Sequence, residues 1–319
     1  MTQPKSAEVY ELLAANVQQV IRGKPEVVRL AITALLAEGH LLVEDVPGLG
    51  KTTLARCLAR SVGGSFNRIQ FTPDLLPGDI TGVMVYHQKE ERFAFHGGGI
   101  FANVVLADEI NRGTPKTQSA LLEVMAERTA TVDSVRHEVP HPFLVVATQN
   151  PIEMEGTYRL PEAQLDRFLM RLSVGYPDLD AEILVIMSDC AGISPEDLPA
   201  VVDLGRLKEA IAEVRASHID REVCAYAARL AAATRTHAAI RYGASPRGSI
   251  SLVRAAQAYA ATAGRLYVTP DDIKDVAKPV LAHRLVLTAD AELNQRGADD
   301  VLDEILAAVP VPSVNAAGR

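Results

Sequence analysis

The sequence predicts an α/β chain: a parallel sheet with helices on both faces, followed by a smaller all-α domain. Three observations carry this. Short, almost wholly apolar runs at 41–43, 100–107 and 143–147 read as strands buried on both faces. They alternate with stretches of helical periodicity, the rhythm of a doubly covered parallel sheet. Beyond Tyr176-Pro177-Asp178 only helical periodicity continues. The chain therefore divides into residues 1–176, residues 177–309, and a tail, 310–319, with too little to bury and expected to be disordered.

Taken in order, Val9, Leu12, Leu13, Val17 and Val20 form a helical stripe that Arg22-Gly23-Lys24-Pro25 ends. Val27, Leu30, Ala34 and Leu35 mark a second helix over 26–36. Gly39-His40 turns into the first strand, which runs into Glu44-Asp45-Val46-Pro47-Gly48-Leu49-Gly50-Lys51-Thr52-Thr53 and a helix through Leu54, Ala55 and Leu58. Gly63-Gly64 stops that helix, and 66–71 reads as a second strand. Residues 72–82 are polar and turn-rich. A hairpin is expected near 83–95, either a surface decoration or an inserted loop that touches a substrate or a neighbour. The run at 100–107 ends in Asp108-Glu109, and Thr114-Pro115 then caps a helix with Leu121, Leu122 and Met125 on its apolar face. A second hairpin is expected near 130–139, and the run at 143–147 ends in Thr148-Gln149-Asn150-Pro151. Stripes at Leu204/Leu207/Ile211/Val214, Val223/Ala227/Leu230, Leu252/Ala256/Tyr259, Ile273/Val276/Val280 and Val301/Ile305/Ala308 supply the later helices. Thr269-Pro270 caps the fourth of these.

Chemistry concentrates at the strand ends. A phosphate chain needs backbone N–H groups curled around its oxygens, a helix N-terminus aimed at it and a nearby cation. Gly48 and Gly50 let the backbone approach, Lys51 reaches the β- and γ-phosphates, and the Thr52 hydroxyl ligates Mg²⁺. The general pattern G-x-x-x-x-G-K-S/T lacks its first glycine here, where Asp45 stands, so the loop alone is an incomplete signal. Asp108 and Glu109 are adjacent carboxylates at the end of a buried strand, costly there unless they hold a cation or polarise a substrate. Asn150 follows the end of a third strand, where an Asn before Pro also suits a turn. Ligands of such sheets bind at the carboxyl ends of the strands, so three signals converge on one edge.

Composition bounds the function. The chain has 319 residues, 48% hydrophobic and 23% charged, which suits two globular domains. A formal charge of -8 argues against sequence-independent nucleic-acid binding. Cys57, Cys190 and Cys224 lack metal or disulfide spacing and read as core thiols of a reducing compartment. With no apolar signal core and no run near the ~20 apolar residues of a membrane span, the expected location is cytoplasmic.

Glu44-Asp45-Val46-Pro47-Gly48-Leu49-Gly50-Lys51-Thr52, Asp108-Glu109-Ile110-Asn111-Arg112, Ala147-Thr148-Gln149-Asn150-Pro151, Leu160-Pro161-Glu162-Ala163-Gln164-Leu165-Asp166-Arg167-Phe168 and Gly243-Ala244-Ser245-Pro246-Arg247 together resemble the MoxR family of AAA+ ATPases, in the helix-2-insert clade. The resemblance covers nearly the whole chain. It implies an AAA+ P-loop core with a helical lid, and an Asp at position 45 is at home in it. It implies that Pro47, Gly48, Leu49, Gly50, Lys51, Thr52 and Thr53 hold ATP or ADP, and that Thr52 and Asp108 hold Mg²⁺, directly or through water. Glu109 then resembles the catalytic glutamate, Asn150 sensor 1, Arg247 the sensor 2 arginine contacting the γ-phosphate from a lid helix, and Arg167 the arginine finger given to the neighbouring subunit. Ile21 either packs on adenine or belongs to the core, and Arg112 and Arg128 could face the subunit interface. The implied function is Mg²⁺-dependent ATP hydrolysis by a ring, a hexamer by resemblance, that remodels, matures or inserts metal into a client protein with a von Willebrand factor A domain partner. Alternatives are a nucleic-acid-remodelling motor, a magnesium-chelatase-like subunit and a nucleotide-gated scaffold with negligible turnover. The acidic charge and the sparse Lys/Arg at the hairpin tips weigh against the first.

Overall fold

The computed structural model describes residues 3–46, 48–150, 157–192 and 194–312. Pro47, Pro151 and residues 313–319 of the expected tail lie outside them. Helices α1 (Lys5–Val17) and α2 (Pro25–Leu36) lead into strand β1 (Leu41–Glu44), followed by α3 (Lys51–Ser61) and β2 (Phe66–Gln70). A short α4 (Pro77–Thr81) precedes the hairpin β3 (Val83–His87) and β4 (Arg92–His96). Next come β5 (Val104–Asp108), α5 (Pro115–Glu127), the hairpin β6 (Thr129–Val132) and β7 (Val135–Glu138), β8 (Leu144–Gln149), a single turn α6 (Glu162–Leu165) and β9 (Met170–Leu172). The C-terminal part comprises α7 (Leu179–Cys190), α8 (Leu204–Arg215), α9 (Arg221–Thr236), β10 (Ile240–Tyr242), α10 (Pro246–Thr262), α11 (Pro270–Leu281), β11 (Val286–Leu287), α12 (Ala289–Leu293) and α13 (Ala298–Ala308).

The sheet is parallel throughout, in the order β2-β5-β8-β1-β9. Its two faces follow the strand period of two. Leu41, Val43, Val104, Leu106, Leu144 and Val146 face α1–α3 and a core that continues into the C-terminal helices. Leu42, Val105, Ala107, Val145 and Ala147 face α5, with Phe71 and Phe168. Gln70 lies level with Asp108, and Glu44 with Gln149, so the loops after β1, β2, β5 and β8 open on one edge.

Four features differ from the sequence expectation. The strand predicted from residue 100 begins at Val104, because the Gly99 and Ile100 amides donate to Asp79 and Ile80 of α4 and leave the ladder. That α4 lies in a stretch read as turns, and β9, of three residues, was not expected. The C-terminal part is helical but also carries the two-stranded ribbon β10–β11. Both predicted hairpins form. Helix α7 is unusual: Leu179, Ile183, Leu184, Ile186 and Met187 are all exposed, and only Ala181 is buried.

Candidate active site

Gly48 and Gly50 adopt φ of +89° and +79°, the left-handed region, and among the described residues a Cβ at either would meet nothing within 4 Å. The glycines therefore serve backbone conformation, and the loop's inner side stays open. Gly50 caps α3 without a side-chain hydrogen bond, so the first-turn amides of Lys51, Thr52 and Thr53 have no capping side chain. Leu49 is half-buried. Lys51 Nζ donates to the Asp45 carbonyl oxygen at 2.6 Å. Burial lowers the Lys51 pKa, while Asp45, Asp108 and Glu109 oppose that shift, so all three carboxylates lie within its electrostatic reach.

Asp45, the residue that breaks the glycine pattern, is 8% exposed. Its carboxylate accepts from Ser173 Oγ at 2.8 Å and from the Val174 and Gly175 amides at 2.5 and 3.4 Å. It thereby fastens the phosphate loop to the segment that leaves β9 for α7. Removing a carboxylate from two amides and a hydroxyl leaves buried donors unpaired. Asp45→Ala is therefore expected to lower stability by about 2–3 kcal/mol, read as a shift of the urea unfolding midpoint at constant slope.

At the end of β5, Asp108 Oδ1 accepts from Thr148 Oγ1 at 2.6 Å, and Oδ2 from Arg68 Nη2 at 2.6 Å. The same Thr148 oxygen accepts the Glu109 amide at 2.9 Å. Glu109 sits at φ +54°, outside the strand conformation, and its Oε2 accepts from Gln70 Nε2 at 3.0 Å and Arg112 Nη1 at 2.9 Å. Asn150 follows β8 on the same edge, its carbonyl accepting from Asn111 Nδ2 at 3.4 Å. It lines a cavity of about 450 Å³ with Glu44, Gln149, Arg171 and His283. The structure thus brings Lys51, Thr52, Asp108, Glu109 and Asn150 to one edge.

Arg167 and Arg247 are not on that edge. Arg167 donates to the Leu122 carbonyl of α5 and directly precedes Phe168 and Leu169, and the Leu169 amide donates to the His40 carbonyl in front of β1. Arg247, exposed in the first turn of α10, lines a cavity of about 320 Å³ with Arg167, Gly39, His40 and Leu169. Both arginines therefore stand at the amino ends of the strands, away from the phosphate loop by the length of β1, about 13 Å. Within one chain Arg247 thus stands apart from the phosphate loop, because α10 starts at the opposite end of the sheet. Arg128 lies on the same side, donating to Glu38 Oε1 at 2.6 Å, whereas Arg112 stays with Glu109. Ile21, 9% exposed, packs into the core beside the Gly23 turn, where a Cβ on Gly23 would meet Ala181 Cβ at 2.4 Å.

The description "ATPase family associated with various cellular activities (AAA)" matches residues 40–170, and "AAA lid domain" matches residues 232–305. A crystal structure of a Cytophaga hutchinsonii protein assigned as an ATPase superposes with a TM-score of 0.90 at 37% identity, covering 97% of both chains. The uncharacterized protein YeaC of Bacillus subtilis is 47% identical over 95% of each chain. Chaperone MoxR1 of Mycobacterium tuberculosis is 42% identical over 98% of this chain and 85% of its own. The chain belongs to the MoxR family of AAA+ ATPases. In this MoxR-family ATPase the open glycine loop, the uncapped helix terminus and Lys51 fit a nucleotide, and the side-chain oxygens of Thr52 and Asp108 are hard donors of the kind Mg²⁺ takes. Sequence reasoning missed Arg68, Gln70 and Thr148, which hold Asp108 and Glu109. For Arg68 and Gln70 the signal was the polar Asn67, Arg68 and Gln70 of β2, a strand level with an acidic strand end.

Proposed function

We propose that this protein is a Mg²⁺-dependent ATPase whose hydrolytic site is completed between two copies of the chain. The observation that carries the reading is the separation of the nucleotide edge from Arg167 and Arg247, which lie together on the opposite edge. In one copy, the loop from Gly48 to Thr53 binds the phosphates, with Pro47 expected to join it, and Thr52 and Asp108 hold the metal. A Mg²⁺ held by these residues would supply neutralisation of phosphate charge. Glu109 takes the proton of the attacking water, Gln70 and Arg112 orient its carboxylate, and Asn150 supplies an amide beside the γ-phosphate. Arg167 and Arg247 of the next copy stabilise the transferring phosphoryl group. Head-to-tail repetition of such a contact closes a ring, and a hexamer follows the resemblance. The exposed apolar α7 supports assembly, since contiguous exposed apolar surface marks an interaction site. Ile21 and the Gly23 turn are the place for the adenine.

We further propose two domains, 1–176 and 177–309, whose angle changes with the nucleotide. A chaperone-like action on a client protein, with a von Willebrand factor A domain partner or as metal insertion, follows the family and the name of the M. tuberculosis relative. Among the described residues no helix is long and apolar enough to cross a membrane, which agrees with a cytoplasmic role. The test is sedimentation velocity with parallel phosphate-release measurement. ATP should drive monomers into a closed oligomer, and turnover per chain should rise with protein concentration. Full turnover by a dilute monomer would sink the shared-site reading.

A further inference from the structure

Arg284, in the turn just beyond α11, keeps a side chain only 2% exposed. Its Nε donates to Asp166 Oδ1 at 2.8 Å, its Nη2 to the Phe168 carbonyl at 2.5 Å and its Nη1 to the Leu169 carbonyl at 3.2 Å. One guanidinium thus holds the residues on both sides of Arg167. It also reaches Ser251 Oγ of α10 at 3.3 Å. The other carboxylate oxygen of Asp166, Oδ2, accepts from Ser245 Oγ at 2.9 Å, and that hydroxyl accepts the Arg247 amide at 3.1 Å as the cap of α10. A single carboxylate therefore joins the backbone that carries Arg167 to the helix start that carries Arg247. Burying a guanidinium demands compensation by a paired anion and well-aimed acceptors, and the planar fork supplies several bonds from one rigid group.

We propose that Asp166 and Arg284 are positioning residues that fix Arg167 and Arg247 relative to one another, so that both address the same phosphate of a neighbouring copy. The proposal rests on the shared-site reading above. Neither residue touches the nucleotide. Each acts through the arginines, and a lid movement that broke the Asp166–Ser245 contact would withdraw Arg247 while leaving Arg167 in place.

The test uses the full chain with Asp166→Asn, which keeps the side-chain shape, and Ser245→Ala, which removes only the hydroxyl link. Misplacing a catalytic contact by about 1 Å can cost on the order of a hundredfold in rate, so turnover of Asp166→Asn should fall about ten- to a hundredfold with ATP affinity unchanged. Each variant is then mixed with Lys51→Ala, which lacks its own phosphate contact but keeps its arginines. Because the Asp166→Asn chain retains a complete nucleotide edge, Lys51→Ala neighbours should restore activity that neither shows alone. Arg167→Ala mixed with Lys51→Ala is the control. If the control recovers and Asp166→Asn does not, the pair acts within its own chain and the proposal is overturned. If the control itself fails to recover, the shared-site reading falls and takes the proposal with it. Wild-type turnover in both variants overturns it as well, and should Asp166→Asn unfold, Ser245→Ala decides alone by the same recovery.

Discussion

Glu109→Gln should bind ATP with near wild-type affinity and lose turnover by about 10²–10⁴-fold, the range of a positioned general base. The substitution is conservative in shape. A glutamine oxygen still accepts from Gln70 or Arg112, so the turn at φ +54° and its attachment to Thr148 persist. What disappears is the carboxylate's basicity, which lets Glu109 take a proton from water. Lys51, Thr52 and the loop glycines are untouched, so the bound state should accumulate as ATP. Nucleotide extracted from the purified variant after a chase is the deciding measurement: recovery as ADP would remove Glu109 from the base role. The same trapped state is the form in which to look for co-purifying client.

The parts of the site readable in the sequence are those whose chemistry is local. Gly48 to Thr52 form one contiguous loop, and the strands before Asp108 and Asn150 announce themselves because parallel strands are apolar on both faces. What escaped is set by residues distant along the chain. Asp45 reads as a missing glycine until the structure shows its partners at 173–175, more than a hundred residues later, where it anchors the loop to the exit from the sheet. Arg247 reads as a lid arginine at a helix start, which it is. Which end of the sheet that start faces depends on Asp166, Ser245 and Arg284, and no local pattern records it. Strand β9 is hidden for another reason: Met170-Arg171-Leu172 is too short for alternation to stand out, and its pairing with β1 supplies the order. The ribbon β10–β11, with two or three residues a side, is hidden likewise.

Arg167→Ala should abolish steady-state hydrolysis, with a loss of about 10³–10⁵-fold if the guanidinium serves the transition state as arginine fingers do, while ATP binding stays near wild type. The two effects separate because Arg167 lies on the edge opposite the phosphate loop and contributes nothing to the affinity of its own site. In the isolated chain its guanidinium rests on the Leu122 carbonyl, beside Gln164 and a cavity that also holds Glu123 and Glu127. A hydrogen bond donated by a guanidinium is charge-assisted and worth about 1.5–3 kcal/mol, but a neighbour's triphosphate offers the same group an anion in place of one carbonyl and can draw it away, and folding should lose no more than that one bond. Stability therefore serves as the internal control. Arg167→Ala should unfold within about 3 kcal/mol of wild type, bind a fluorescent ATP analogue with unchanged affinity and release no phosphate above background. Equal loss of binding and hydrolysis would place Arg167 in its own nucleotide site, and wild-type turnover would remove it from catalysis altogether. Lys is not expected to substitute for it: Arg167→Lys keeps the charge but loses the planar fork that spreads contact over two phosphoryl oxygens.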